Sequence, residues 1–316
     1  MRAYLARRLL LILPTLAVVS VIVFAIMRLV PGDVVSLMFE DLGYAPSAEA
    51  MRARLGLDRP MTEQYVRWVS QLLSGHFGES LWTQRTVLTL LAERLPTTLE
   101  LTLLSIIFAV VYGGLTGVIA AVWPETWLDM ALRSLAMAFL SLPTFWLGTL
   151  AIVFPSIYLG WSPRIRLIPF TVDPVGNLAQ FVLPAIILGS HLGAPVMRMT
   201  RAMMLEVLRQ DYIRTAMGKG LSGRAVILKH ALRNAVIPAV TVLGVQVSQA
   251  IGGSVVMETL FQIPGMGSLL IEAVAHRDYP LFQSLVLFLA LFVMAVNLTV
   301  DVAYSLIDPR LRAEGR

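Results

Sequence analysis

Apolar residues run nearly unbroken at six places along the chain, about 9–30, 99–122, 130–154, 178–200, 236–257 and 281–303, with polar residues gathered between them. A hydrocarbon core roughly 30 Å thick takes about 20 helical residues, so each run is long enough to cross a bilayer. Lipid leaves the backbone to satisfy its own hydrogen bonds, which restricts spanning segments to helices or a closed barrel. A barrel would show short stretches alternating apolar and polar residues, and these runs are apolar on every side. The pattern therefore predicts an all-α membrane protein with six transmembrane helices. The first run follows a basic start, Met1-Arg-Ala-Tyr-Leu-Ala-Arg-Arg8, as a signal peptide would. It is too long for a signal core and no small-residue cleavage site follows, so it reads as a retained span.

The polar intervals are unequal. Residues 31–95 form a sizeable insertion between the first two spans, and its middle has helical spacing. Tyr65, Val66, Trp68, Val69, Leu72 and Leu73 share one face, and Ser74-Gly75 ends the run. Such a helix either lies on the membrane surface or packs as a cap on the span ends. The 124–129 turn is short, which makes the second and third spans antiparallel neighbours. Residues 155–177 and 258–280 are rich in Pro and Gly, and 199–234 reads as helix–Gly–helix, with Thr215-Ala216 ahead of Gly220. Gly113, Gly114 and Gly117 offer a small face for close helix approach. Pro143, Pro184 and Pro195 remove helix hydrogen bonds and predict kinks.

Composition agrees: 57% of residues are hydrophobic and 14% charged, against about 25% charged in soluble domains. The net charge of +5 does not point to nucleic acid, because the basic residues lie between spans rather than on one soluble face. They set orientation instead. With an inside N-terminus, 15 Lys and Arg fall on that side; setting aside the long 31–95 segment leaves four on the other. Positive residues favour the cytoplasm and long translocated segments count little, so both termini are expected to be cytoplasmic. The domain reading is 1–30, N-terminus and first span; 31–95, external (periplasmic) segment; 96–307, a core of five helices; 308–316, cytoplasmic tail.

The chain has no Cys, hence no thiolate chemistry, and it lacks the phosphate-loop, His-Glu-x-x-His and Gly-x-Ser-x-Gly patterns. Gly218-Lys-Gly220-Leu-Ser-Gly223 spells a dinucleotide fingerprint by chance. Its flank is helical and no acidic residue occurs between Asp211 and Glu258 to hold a ribose. The four histidines are scattered, so no metal site is expected. His191 lies inside a span, where an ionisable group marks a functional candidate or a hydrogen bond to a neighbouring helix. With Gln246, Gln249 and Asn297 it is a candidate for lining a pore; Ser248 is a further polar position, and all of these could instead glue helices together.

Several strings resemble one family. Asp211-Tyr-Ile-Arg-Thr-Ala-Met-Gly-Lys-Gly-Leu221 and His230-Ala-Leu-Arg-Asn-Ala-Val-Ile-Pro238 are similar to the cytoplasmic Glu-Ala-Ala-x-x-x-Gly region of bacterial ABC importer permeases, with Arg214 in place of the Glu and Thr215 in place of the first Ala. The dipeptide/oligopeptide (and nickel) branch is further resembled by Arg28-Leu-Val-Pro-Gly-Asp33, Gly56-Leu-Asp-Arg-Pro60, Pro143-Thr-Phe-Trp-Leu-Gly148, Glu258-Thr-Leu-Phe-Gln-Ile-Pro-Gly-Met-Gly267, Arg277-Asp-Tyr-Pro280 and, at the C-terminus, Asp301, Tyr304 and Asp308-Pro-Arg310.

The resemblance implies a type I ABC importer permease fold in a bacterial inner membrane. It implies a non-catalytic, pore-forming subunit that works with a second homologous permease, two ABC ATPase subunits and an external substrate-binding protein, surrounded by membrane lipid. No cofactor is expected in this chain, since ATP and magnesium would sit in the ATPases. Asp211, Tyr212, Arg214, Thr215, Ala216, Lys219, Gly220 and Leu221 would form the helix that couples to them. The cargo implied is a peptide, with nickel or another solute as the alternative within the branch. A lone secondary transporter or channel is the competing class; it calls for charges buried at mid-membrane, and these spans are nearly free of charge.

Overall fold

The computed structural model describes residues 2–29, 35, 52–53, 56–164 and 166–307. Pro31-Gly-Asp33, Asp308-Pro-Arg310 and the 308–316 tail lie outside the described residues. Those described form helices α1 (Arg2–Leu29), α2 (Met61–Leu73), α3 (Val87–Val122), α4 (Trp127–Ser141), α5 (Thr144–Leu159), α6 (Pro174–Leu208), α7 (Asp211–Gly218), α8 (Gly223–Leu260), α9 (Met266–Ala275) and α10 (Tyr279–Ile307). Five of them, α1, α3, α6, α8 and α10, are long and apolar enough to cross a membrane, and α4 with α5 makes a sixth if a bent pair is counted as one span.

That pair departs from the single, kinked third span expected over 130–154. The two helices meet at 101°. Pro143 does more than kink the helix, because Leu142 before it is extended (φ −86°, ψ 130°) and Pro143 itself caps α5. The proline ring pushes the preceding residue out of the helical region, so α4 ends there. Pro184 and Pro195, by contrast, are carried inside an uninterrupted α6.

Helix ends also differ from the apolar runs. α3 begins at Val87 and runs through Pro96, inside the segment read as external. Hydropathy reports contact with lipid, and Glu93 and Arg94 end the apolar run without ending the helix. α6 has 35 residues, about 52 Å at 1.5 Å per residue, so it projects well beyond a 30 Å core.

The chain divides into two compact units. In the first, residues 1–96 with 268–295, the amphipathic α2 packs on α1 rather than on open lipid. Tyr65 hydroxyl and Ser20 Oγ hydrogen-bond at 2.8 Å, and Phe24 meets Tyr65 edge-on and stacks with Trp68. Val66 and Leu73 fall off the covered stripe and are exposed. Farther on, the buried Asp278 carboxylate accepts Ser80 Oγ at 2.6 Å and Leu81 N–H at 3.0 Å, which pins the turn before α3 to the start of α10.

In the second unit, residues 97–267 with 296–316, α3 and α6 interlock through glycines. A Cβ on Gly113 would stand 2.5 Å from the Gly193 carbonyl, and one on Gly117 2.7 Å from the Met197 carbonyl. Gly189 and Gly193 answer from α6 with the same four-residue spacing, which the sequence reading did not pair. Gly114 faces open space and takes no part. Phe181, Leu188, Leu192, Ala250 and Met257 form the main core between α6 and α8.

At one end of this core sits Glu258, fully buried. Its carboxylate accepts Thr98 Oγ1 and Gly267 N–H, both at 2.7 Å. Thr98 Oγ1 in turn accepts Met266 N–H at 2.8 Å. The Glu258–Gly267 string is therefore a folding device: one carboxylate gathers the loop after α8 onto Thr98 of α3.

Candidate functional site

The segment from α6 to α8 builds a small platform. α6 ends at Leu208, Gln210 is extended, and Asp211 opens α7 with an acidic first turn, favourable at a helix N-terminus. Ile213 and Ala216, three residues apart and so on one face, are buried. They pack with Met204 of α6, Ala121 of α3, and Val226, Ala231 and Ala235 of α8. Burying one Ile side chain is worth about 1.5–3 kcal/mol, so α7 is seated on three long helices rather than loosely tethered.

The far end of α7 closes with paired bonds. Gly220 N–H donates to the Met217 carbonyl at 2.9 Å and Leu221 N–H to the Ala216 carbonyl at 3.4 Å. This nested pair needs a left-handed residue just past the helix, and Gly220 supplies it at φ +81°. Ser222 then caps the next helix by accepting Ala225 N–H at 3.4 Å, and residues 226–231 form a π-turn within α8. Tyr212 closes the platform across the turn, its hydroxyl accepting Asn234 Nδ2 at 2.8 Å.

The residues singled out from sequence thus divide. Asp211, Tyr212, Arg214, Thr215, Lys219, Gly220 and Leu221 are exposed. Ala216 faces inward, so its smallness lets α7 approach its own core rather than a groove in another protein. Thr215 Oγ1 is turned back to the Asp211 carbonyl at 3.0 Å. Arg214 and Asp211 are 3.5 Å apart and almost fully exposed, a pair worth about 0–1 kcal/mol. Met217 was missed. It is 53% exposed, with Tyr212 and Leu221 each at 42%, so three large side chains stand uncovered on an otherwise polar loop. Spacing hides it, since 217 lies four residues from 213 and so reads as part of the same face.

A second feature was also missed. Asp129, in the first turn of α4, is fully buried and holds Arg201 of α6 through two bonds of 2.7 Å. Glu125 N–H adds a third bond at 3.1 Å. This bidentate pair locks the α3–α4 turn to α6 on the same helix whose Met204 seats the platform. In the sequence Arg201 is one more positive residue in a basic loop, and nothing local names its partner.

The four pore candidates separate as well. His191 Nδ1 hydrogen-bonds the Phe139 carbonyl of α4 at 2.9 Å, and Asn297 Oδ1 accepts Ser248 Oγ. Both join neighbouring helices. Gln246 is buried within the chain and Gln249 is exposed on α8.

Two family models match nearly the whole chain. One, described as binding-protein-dependent transport system inner membrane component, matches residues 113–313, and its N-terminal companion matches residues 1–102. The "Di/tripeptide transport system permease protein DppB" of Pseudomonas aeruginosa is 41% identical and covers 99% of both chains. A putative peptide transport system permease protein of Brucella suis is 40% identical over 98% of this chain and 99% of its own. The "Glutathione transport system permease protein GsiC" of Escherichia coli K12 is 40% identical over 98% of each. Among solved structures, an inward-facing MetNI methionine ABC transporter superposes with a TM-score of 0.54, at 19% identity, over 69% of this chain and 96% of that one. At that identity the likeness speaks to the fold.

Proposed function

From a chain that belongs to the family of binding-protein-dependent transport system inner membrane components, we propose that ATP-driven import of short peptides follows, with α7 as the element that receives the drive. The family makes the chain a multi-pass inner-membrane component of a binding-protein-dependent transport system; in our reading it is a non-catalytic permease that works with ATPase and binding-protein partners, which the fold shared with an ABC importer supports. Peptide cargo is supported by relatives named for di/tripeptide, peptide and glutathione transport. In our reading two ATPases carry the ATP and magnesium, a second homologous permease completes the pore, and both termini face the cytoplasm.

The observation that carries the mechanism is the seat of α7. Ile213 and Ala216 are gripped by residues of α3, α6 and α8, while Tyr212, Met217 and Leu221 stay uncovered. A push on the exposed face is therefore delivered to three helices at once. Binding energy at a remote partner shifts a two-state bundle only through an element that contacts both, and α7 meets that condition. Gln249, exposed on a span where polar groups are costly in lipid, is the candidate of the four to face the translocation path.

The test is reconstitution in proteoliposomes with the partner permease, ATPases and binding protein. ATP-dependent accumulation of labelled dipeptides and tripeptides is expected, and Met217→Asp should abolish it while the chain still assembles. Peptide flux through the lone chain without ATP would overturn the reading in favour of a self-sufficient carrier.

A further inference from the structure

Two buried clusters of the second unit divide α6 and α8 between them. On the side of α7, Ile213 and Ala216 pack with Met204 of α6 and with Val226, Ala231 and Ala235 of α8. Farther along, Leu188 and Leu192 of α6 pack with Ala250 and Met257 of α8. The π-turn fits α8 to the first cluster. Residues five apart on a regular helix point about 140° apart, but the wider turn, closed by Leu232 N–H on the Ile227 carbonyl, brings Val226 and Ala231 into one cluster. Between the clusters each helix carries a proline, Pro195 in α6 and Pro238 in α8. A proline inside a helix removes a hydrogen bond and crowds the carbonyl four residues back, here those of His191 and Asn234. Both residues are tied sideways. His191 Nδ1 meets the Phe139 carbonyl of α4 at 2.9 Å; Asn234 Nδ2 donates to the Tyr212 hydroxyl of α7 at 2.8 Å and to the His230 carbonyl at 3.2 Å. Beside the prolines the packing is open: a cavity of about 500 Å³ is lined by Pro195, Met199 and Val242, with Arg133 and Arg198 at its wall.

We propose that α6 and α8 form a paired joint at Pro195 and Pro238, and that Asn234 is the positioning residue that makes this joint follow α7. With α7 as the element that receives the drive, the reading on which this rests, the α7-side cluster moves as one body against the main core. Close-packed clusters transmit a push rather than absorb it. The bend therefore falls where the helical ladder is already interrupted, and the cavity there gives side chains room to shift. Asn234 stands at the break itself. Its carbonyl has lost a helical donor to Pro238, while its side chain holds α7 and the π-turn together. A neutral hydrogen bond at an exposed position is weak enough to break and re-form within a transport cycle. Prolines that merely shape a static bundle would behave differently: replacing them would stabilise the helices and leave transport untouched.

The experiment uses the full chain assembled with its partner permease, ATPases and binding protein in proteoliposomes, and reads peptide imported per ATP hydrolysed. Pro195→Ala with Pro238→Ala restores two helical hydrogen bonds, so the complex should assemble and melt no lower than the unsubstituted one. It should still hydrolyse ATP, yet import about tenfold less peptide per ATP. Asn234→Ala should lower the same ratio by about threefold to tenfold, and adding Tyr212→Phe should lower it no further, because both remove one bond. The chain has no Cys, so Val242→Cys places a single thiol in the cavity at the joint. Its maleimide labelling should differ about tenfold between nucleotide-free and vanadate-trapped complexes, as a two-state joint requires, and the difference should vanish in the double-proline variant. Equal labelling in the two nucleotide states would overturn the joint, even if the proline variant fails to assemble. So would an unchanged import ratio in an assembled proline variant. An unchanged ratio in Asn234→Ala would remove that residue's role. Normal import by the Met217→Asp complex, with the labelling difference intact, would instead fell the reading of α7 and with it the part of Asn234, leaving the joint standing.

Discussion

Replacing Asp129 by Asn should loosen the α3–α4 turn far more than its surface position in sequence suggests. The carboxylate is fully buried and meets Arg201 through two bonds of 2.7 Å, with Arg201 itself 20% exposed. Removing one partner of a buried pair costs about 3–5 kcal/mol, and the residual exposure of Arg201 favours the lower end. At about 1.4 kcal/mol per decade, the turn should open about 100-fold more often. The chain has no Cys, so Ala121→Cys, at a position 2% exposed near the end of α3, provides a single reporter thiol. When reclosing outpaces modification, labelling by a water-soluble maleimide follows the open population. Labelling in the Asp129→Asn background is expected to be about 100-fold faster. A change under about threefold would refute the reasoning. Adding Arg201→Met should restore most of the protection, because the cost lies in the stranded charge more than in the lost pair. A double variant that labels as fast as the single one would show that the energy resides elsewhere.

Thr98→Val removes a hydroxyl that both donates to Glu258 and accepts from Met266; a loss of about 3 kcal/mol should appear as a lower unfolding temperature of the purified protein. Gly113→Ala drives a Cβ toward the Gly193 carbonyl whereas Gly114→Ala meets nothing within 4 Å, so only the first should reduce stability, read from the same melting curves. Gly220→Ala places no atom against a neighbour but sits at φ +81°, costing about 1–2 kcal/mol and leaving most uptake intact; Gly220→Pro also loses the N–H that closes α7 and should stop ATP-driven uptake while membrane insertion persists. A single thiol at Arg209→Cys should resist impermeant reagents in sealed cells, and ready labelling there would reverse the proposed orientation.

Much of the site was readable because its signals are local. Ser74-Gly75 ends α2 and Gly220 ends α7 where turn chemistry places them, since a left-handed residue is demanded by the helix end itself. The exposed residues of α7 all fall within one short stretch of the chain. Spacing does not fix the direction a small residue faces: Ala216 suits an external groove and an internal seat equally, and only the positions of Ala121 and Val226 decide. Pro143 shows the same limit. Its ring chemistry announces a break, but whether a helix kinks or turns by 101° depends on what packs beyond it.

The sequence by itself determined that the chain lives in lipid, roughly where it crosses, and which family it resembles, because hydropathy, charge bias and short strings are properties of neighbouring residues. Tertiary structure decided which carboxylate meets which donor. Asp129 and Arg201 are 72 positions apart and Thr98 and Glu258 are 160 apart, and no local pattern encodes such a meeting. A buried charge is tolerated only where its partners converge on it, and that convergence exists only once the helices have packed.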